Sequence, residues 1–214
     1  MAQSQDLYDA ILKGDAKKAH AATQAALEAG AAPMELITES MVPAMNEVGR
    51  LFECDEYFVP ELLLAGRAMK SAMELLRPML AASGEKLSTR VVIGTVKGDL
   101  HDIGKNIVAS MLEGGGYEVI DLGTDVSPDT FVGVVKERKP QVVCMSALLT
   151  VTMPSMRTTI EALKNAGLRS QVKVLVGGAP VSSHYAEEIG ADGYSENANG
   201  AVSLVKSLLG QGAA

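Results

Sequence analysis

The residues best placed to do chemistry lie in one stretch, Lys97-Gly98-Asp99-Leu100-His101-Asp102-Ile103-Gly104-Lys105-Asn106. A single imidazole, His101, stands there between two carboxylates, Asp99 and Asp102. A neutral imidazole ligates a metal through one ring nitrogen while a carboxylate accepts a hydrogen bond from the other, which fixes the tautomer and raises the basicity of the ligand. Asp99, two positions from His101, is the candidate for that carboxylate. A hydrogen-bonded loop histidine with no ligand is an equal reading of this stretch taken alone. Gly98 and Gly104-Lys105 also suggest a phosphate loop, but the spacing is one residue too long, and Asn106 stands where a Ser or Thr would bind magnesium. A Gly-x-Gly-x-x-Gly dinucleotide turn is absent as well.

One protein ligand does not build a metal site. The sequence has no His-x-x-x-His pair, and the other histidines, His20 and His184, fall in helical patterns. A metal held by His101 would therefore arrive already chelated in a macrocycle, with the protein supplying an axial ligand.

Two kinds of sequence must position this loop, and they meet near residue 85. Before it, alanine, leucine, glutamate and methionine dominate. Leu7 and Ile11 begin a short helix that Gly14 ends, and Asp15 can cap the next one. Pro33 suits a first helical position. From there Ile37, Met41, Met45, Val48 and Phe52 recur at helical steps, and Pro60 opens a second stripe of Leu62, Ala65, Met69, Met73, Leu76 and Leu80. Residues 1–85 read as a four-helix bundle, its methionines as core, and the small polar run Ala81–Thr89 as a linker.

From residue 90 to 214 short apolar runs alternate with helical patterns. Strands are predicted at Arg90–Val96, Glu118–Leu122, Gln141–Ser146, Lys173–Val176 and Gly193–Tyr194. Helices are predicted at Gly104–Glu113, Asp129–Lys139, Pro154–Ala166, Ser183–Ile189 and Ala198–Leu209. Runs such as VVIGTV lack alternation, as strands covered on both faces do. The fold class is α/β, with a helical bundle followed by a Rossmann-like or flavodoxin-like, doubly wound, parallel five-stranded sheet. Ligands of such sheets sit at the carboxyl ends of the strands, so the loops after Val96, Met145 and Val176 are the ones to watch.

Composition narrows the function. The chain has 214 residues, is 47% hydrophobic and carries only 8 prolines, which allows a packed core. The net charge is −7, with no basic stripe, which disfavours nucleic acid and anionic membrane surfaces as partners. Cys54 and Cys144 exclude a disulfide framework or a Cys-x-x-Cys site. No apolar run approaches the ~20 residues of a membrane span, and no basic segment with an apolar core begins the chain, so a cytoplasmic protein is expected.

Three motifs at successive strand ends, Asp99-x-His101-x-x-Gly104, Ser146-x-Leu148 and Gly177-Gly178, resemble the cobalamin-binding module shared with methionine synthase. Val48-Gly49, Phe52 and Phe58-Val59-Pro60-Glu61-Leu62 are similar to that family's helical cap. The resemblance runs from about residue 5 to about residue 210. Its two-domain length is most like the stand-alone corrinoid proteins of anaerobic methyl-transfer systems. It implies cobalamin or a related corrinoid as cofactor, carried as methylcobalamin or cob(I)alamin.

The same resemblance implies residue roles. His101 would be the lower cobalt ligand, Asp99 its hydrogen-bond partner, and Thr152 the hydroxyl that completes the relay. Gly98, Asp102, Ile103, Gly104 and Thr150 would belong to the cofactor-binding loops. Ser146 would contact the displaced nucleotide tail, Leu148 would line its channel, and Gly177 and Gly178 would leave room for it. Phe52 and Val59 would cover the methyl face of the corrin. The implied partners are a substrate:corrinoid methyltransferase, a methylcorrinoid:acceptor methyltransferase using tetrahydrofolate or a thiol such as coenzyme M, and a reductive activation protein. The implied role is a methyl carrier, which counts as an enzyme only by association.

Other readings stand beside these. Thr150 and Thr152 could equally satisfy local backbone. Ser195, Glu196 and Asn197 suit a helix cap as well as a tail contact, and Tyr117, Asp121, Asp125 and Asp129 look like strand-end and cap residues. Cys144 reads as core and Cys54 as a surface or structural thiol. A cobalamin-dependent sensor is the main alternative function, but no basic helix-turn-helix segment accompanies the module. The cobalamin subunit of a mutase would lack the helical cap, and a flavodoxin would need a hydroxyl-rich loop after Val96.

Overall fold

The computed structural model describes residues 2–83 and 89–210. They form two compact units. The first takes in the chain up to residue 83 together with Ser110–Tyr117, and the second takes in Thr89–Ala109 and the chain from Glu118 onward.

The helical unit begins with α1 (Ala2–Leu12) and α2 (Ala16–Glu28). They are joined through Gly14, whose φ of +68° favours glycine, and Asp15 caps α2 by accepting the Lys18 N–H at 3.0 Å. A longer run follows as α3 (Pro33–Leu36), a π-helical turn (Ile37–Met41) and α4 (Val42–Glu53). Pro43 accounts for the widened turn. It has no N–H to give to Glu39, and its ring would press on that carbonyl in a regular α-helix. The Val42 N–H instead reaches back to the Ile37 carbonyl. The last helix is α5 (Val59–Ser83), where the Glu61 carboxylate accepts the free Phe58 N–H at 2.9 Å.

Both predicted stripes point inward. Ile37, Met41, Met45, Val48, Leu62, Ala65, Met69, Met73, Leu76 and Leu80 are all buried, and Phe52 is half-buried. Burying each such large apolar side chain contributes roughly 1.5–3 kcal/mol. Helix α5 runs into the predicted linker as far as Ser83, because Ala81 and Ala82 favour helix. The rest of that linker, 84–88, lies outside the described residues.

In the second unit β1 (Arg90–Thr95), β2 (Glu118–Asp121), β3 (Val142–Ser146), β4 (Lys173–Gly177) and β5 (Gly193–Tyr194) form one parallel sheet in the order β2-β1-β3-β4-β5. Helices α6 (Ile103–Gly114), α7 (Pro128–Arg138), α8 (Pro154–Asn165), α9 (Ser183–Ile189) and α10 (Ala198–Leu208) connect and follow the strands. All five predicted strands and the helices between them are present, with ends within a residue or two of expectation. Ser127, Ser182 and Asn197 cap α7, α9 and α10 by accepting the N–H groups of Thr130, Tyr185 and Gly200. The core holds Val92, Val143, Val174, Phe131, Met156, Ile160 and Leu163. Cys144 is buried on the same strand as Val143, and burial pushes its thiol up to about 12.

The register sets the site. Thr95 pairs with Ser146 and Ser146 with Gly177, so β1, β3 and β4 end level with one another. Strand order reverses between β1 and β3, and the loops after these two strands lie side by side at the carboxyl end of the sheet. No described helix is long and apolar enough to cross a membrane.

Candidate functional site

The loop after β1 opens with a turn in which the Asp99 N–H returns to the Val96 carbonyl at 3.1 Å. Gly98 has φ +86°, the value that the third residue of a type II turn requires. The turn directs Asp99 inward, where it is wholly buried. Its Oδ1 accepts the His101 N–H at 3.1 Å and meets His101 Nδ1 at 2.7 Å. Its Oδ2 accepts the Thr152 hydroxyl at 2.7 Å and the N–H groups of Leu148 at 2.8 Å and Leu149 at 3.3 Å. The spacing left open whether Asp99 and His101 touch; the fold brings them together and adds three donors from the loop after β3.

Burial alone would favour the neutral acid, and it is the largest influence on Asp99. The hydrogen bonds from Thr152, Leu148 and His101 together outweigh it and hold the carboxyl well below the usual carboxylate range. An ionised Asp99 is an acceptor only, so His101 Nδ1 carries the proton of that bond. In the neutral ring the lone pair is then on Nε2, and half of the His101 side chain is exposed. The Thr95 hydroxyl, at the end of β1, donates to the His101 carbonyl at 2.9 Å and anchors the other end of the loop.

The remaining predicted residues divide by place. Asp102 is exposed and accepts from Asn106 Nδ2 at 3.1 Å. Ile103 opens α6, and Gly104 beside it has open space where a Cβ would lie. Ser146 is half-buried and Thr150 exposed, whereas Leu148 reaches the site through its backbone. Glycine at 178 is required before any ligand is considered, since a Cβ there would lie 1.9 Å from the Ala147 carbonyl oxygen and φ is +126°. A Cβ on Gly177 would meet the Ser195 carbonyl at 3.2 Å. Phe52 and Val59 belong to the helical unit, half-buried near the end of α4 and exposed at the start of α5.

Several supporting residues were not visible in the sequence. Besides Thr95, Ser155 Oγ donates to the Lys97 carbonyl at 3.0 Å. Lys105, almost wholly buried, sends its ammonium to Asp121 Oδ2 and Asn106 Oδ1, both at 2.6 Å. Of the residues read as strand-end and cap residues, Asp121 ends β2 and pairs with Lys105, and Asp125, four residues further on, accepts the Gly98 N–H. No spacing rule marks such contacts: Thr95 and Asp121 are polar residues at strand ends, and Lys105 and Ser155 polar residues in the first turns of helices.

These residues suit a pre-chelated metal. Among the described residues no group of three or more His, Cys, Asp or Glu could hold an ion. His101 offers one oriented nitrogen, and the two loops that meet at Asp99 expose Leu100 (74%), Ile103 (73%), Val151 (80%), Leu148 and Leu149. Apolar side chains so exposed around a single ligand fit a large, flat, mostly apolar group, and the open space at Gly104 leaves room for it.

Residues 89–203 match the B12 binding domain family, and residues 3–77 match a second B12 binding domain family. Fold and site thus define a cobalamin-binding protein. The chain is 48% identical over 203 residues to the trimethylamine corrinoid protein of Methanosarcina barkeri, covering 94% of both. It is 43% identical over 204 residues to dimethylamine corrinoid protein 3 of Methanosarcina acetivorans, covering 95% of both. Its fold superimposes on one chain of the methanol:cobalamin methyltransferase complex MtaBC from Methanosarcina barkeri with a TM-score of 0.88 at 29% identity, covering 99% of this chain and 81% of that one. The chain belongs to the B12-binding family, as one of its corrinoid proteins, and its cofactor is a corrinoid.

Proposed function

We propose that this protein is a methyl carrier for methylated amines, accepting the methyl group from a substrate-specific methyltransferase and presenting it to a second methyltransferase. The amine class comes from the relatives, which are named for trimethylamine and dimethylamine. The observation that carries the site assignment is Asp99, buried and ionised, placed 2.7 Å from His101 Nδ1 and 2.7 Å from the Thr152 hydroxyl.

A bound corrinoid supplies a cobalt centre that takes up and gives up a methyl group. His101 would be the residue that holds such a centre, with Asp99 and Thr152 fixing the orientation of its ring. With Nδ1 tied to Asp99, Nε2 is the ring nitrogen of His101 left to hold the metal centre. Thr152 and the Leu148 and Leu149 amides keep Asp99 charged throughout. The exposed leucine, isoleucine and valine side chains of the two loops would give a bound corrinoid an apolar bed. Ser146, Gly177 and Gly178 are proposed to contact the nucleotide tail, and Phe52 and Val59 to shield the methyl face. A reductive activation protein completes the proposed set of partners. We place the protein in the cytoplasm with them.

The test is the absorption spectrum of the protein reconstituted with methylcobalamin, beside His101→Ala. Histidine coordination in the wild type, with the benzimidazole displaced, and its loss in the variant support the assignment. Failure to retain cobalamin, or retention with the benzimidazole still coordinated, overturns it.

A further inference from the structure

We propose that Asp125 is a positioning residue for the histidine loop, clamping the Gly98–Asp99 dipeptide at both ends so that the Asp99 carboxylate is aimed at His101. The inference rests on the reading of His101 given above and extends it to a loop that the ligand motif does not contain.

Asp125 lies between β2 and α7. Its Oδ1 accepts the Gly98 N–H at 2.8 Å, and its own N–H donates to the Asp99 carbonyl at 2.9 Å. The dipeptide is therefore gripped at its first amide and its last carbonyl by one residue. Asp125 itself has φ +53°, in the left-handed region that Asp and Asn tolerate better than other residues with a side chain. Gly98, facing it, also lies in that region. Neither conformation is the resting choice of a free loop, so each turn is held by its bonds to the other.

The clamp completes the accounting at Asp99. Its N–H goes to Val96, its carbonyl receives Asp125, Oδ1 receives His101, and Oδ2 receives Thr152, Leu148 and Leu149. Release of the clamp would leave the Asp99 backbone held by its own N–H on Val96, with only Oδ2 tied to the loop after β3. Lys97 adds an ion pair to Asp125 at 3.3 Å. The Gly98 N–H and the Lys97 ammonium keep the Asp125 carboxyl below its ordinary value, so it is a charged acceptor at neutral pH. The bland alternative is a solvent-exposed hydrogen bond and ion pair that contribute nothing measurable.

Three variants of the full chain separate the possibilities. Asp125→Asn keeps the acceptor oxygen and tolerates the left-handed backbone but loses the ion pair. Asp125→Gly keeps the backbone freedom and N–H but loses the acceptor. Asp125→Ala loses both the acceptor and the conformational tolerance. Without cofactor, amide exchange at Gly98 is expected to quicken about tenfold in the Gly and Ala variants and to stay at the wild-type rate in the Asn variant. With cobalamin bound, the ratio of histidine-coordinated to benzimidazole-coordinated absorption is expected to fall roughly tenfold in the same two variants, with rescue by Asn, about the worth of one hydrogen bond to a charged group. Thermal melting in parallel identifies any variant that fails to fold.

A glycine variant that matches the wild type in both measurements overturns the clamp, as does an asparagine variant as poor as alanine. If the wild type itself shows no histidine coordination, the reading of His101 falls and the positioning role with it. Wild-type coordination with an unaffected glycine variant overturns the positioning role alone.

Discussion

Thr152→Val is the sharpest test of how the site is held. The hydroxyl lies 2.7 Å from Asp99 Oδ2 and 2.8 Å from the Leu149 carbonyl oxygen, and it has one proton to give. Leu149 keeps two other donors, the N–H groups of Thr152 and Met153. The loss on substitution therefore falls on Asp99, which is wholly buried beside a nearly buried Thr152, so that water does not replace the missing donor. A hydrogen bond to a charged group is worth about 1.5–3 kcal/mol, which for a chain of this length lowers Tm by roughly 3–12 °C. A methyl group at the hydroxyl position would also stand too close to the carboxylate oxygen, which must shift away from His101.

The pH dependence has a definite sign. The folded carboxyl of Asp99 lies below its unfolded value, so its charge stabilises the fold above about pH 4 and that contribution is lost as pH falls toward the depressed folded value. Valine moves the folded value upward. The gap between wild type and variant is therefore full at pH 7, level down to about pH 5, and narrower below about pH 4. Urea titrations of the full chain at these pH values read it directly. A gap under ~0.5 kcal/mol at neutral pH, or one that widens on acidification, refutes the claim that Thr152 sustains the charge on Asp99.

Two glycines separate folding from ligand binding. Gly178→Ala would place a Cβ 1.9 Å from the Ala147 carbonyl oxygen at a φ of +126°, and is expected to destabilise by more than about 3 kcal/mol whether or not corrinoid is present; thermal melting of both forms checks this. Gly104→Ala meets open space within α6, so the cofactor-free protein is expected to be unchanged or more stable by about 0.5–1 kcal/mol. The same variant is expected to retain corrinoid more weakly, read by equilibrium dialysis, and equal retention would show that the open space at Gly104 serves no ligand.

Much of this arrangement was legible in the chain. The strands could be read because a parallel sheet covered on both faces needs unbroken apolar runs such as VVIGTV, and the helical unit because Met41, Met45, Met69 and Met73 fall on buried stripes. Asp15 and Asn197 were readable as caps because that chemistry is local. The motif residues His101 and Asp99 could be named, but not their 2.7 Å contact. What stayed hidden is what joins distant segments: the Thr95 hydroxyl on the His101 carbonyl, the Lys105–Asp121 pair, the grip of Asp125 on Gly98. A polar residue at a strand end looks the same in sequence whatever it eventually touches. The π-helical turn was equally invisible as a pattern, since Ile37, Met41 and Met45 stay buried across it.

The helical unit's claim on Ser110–Tyr117 bears on how such proteins recombine in evolution. The family segments are consecutive along the chain, 3–77 and then 89–203, yet the packing is not. Glu113, from the second segment, pairs with Arg77, and Gly114 lies so close to Met45 that a Cβ would approach its side chain to 2.6 Å. A gene fusion that transplants 89–203 alone carries with it the second half of α6, stripped of the surface it was shaped to meet. Any host that adopts the module must supply a new cover for Ser110–Tyr117 or tolerate its exposure. The boundary between the two compact units cuts across one helix, between Ala109 and Ser110.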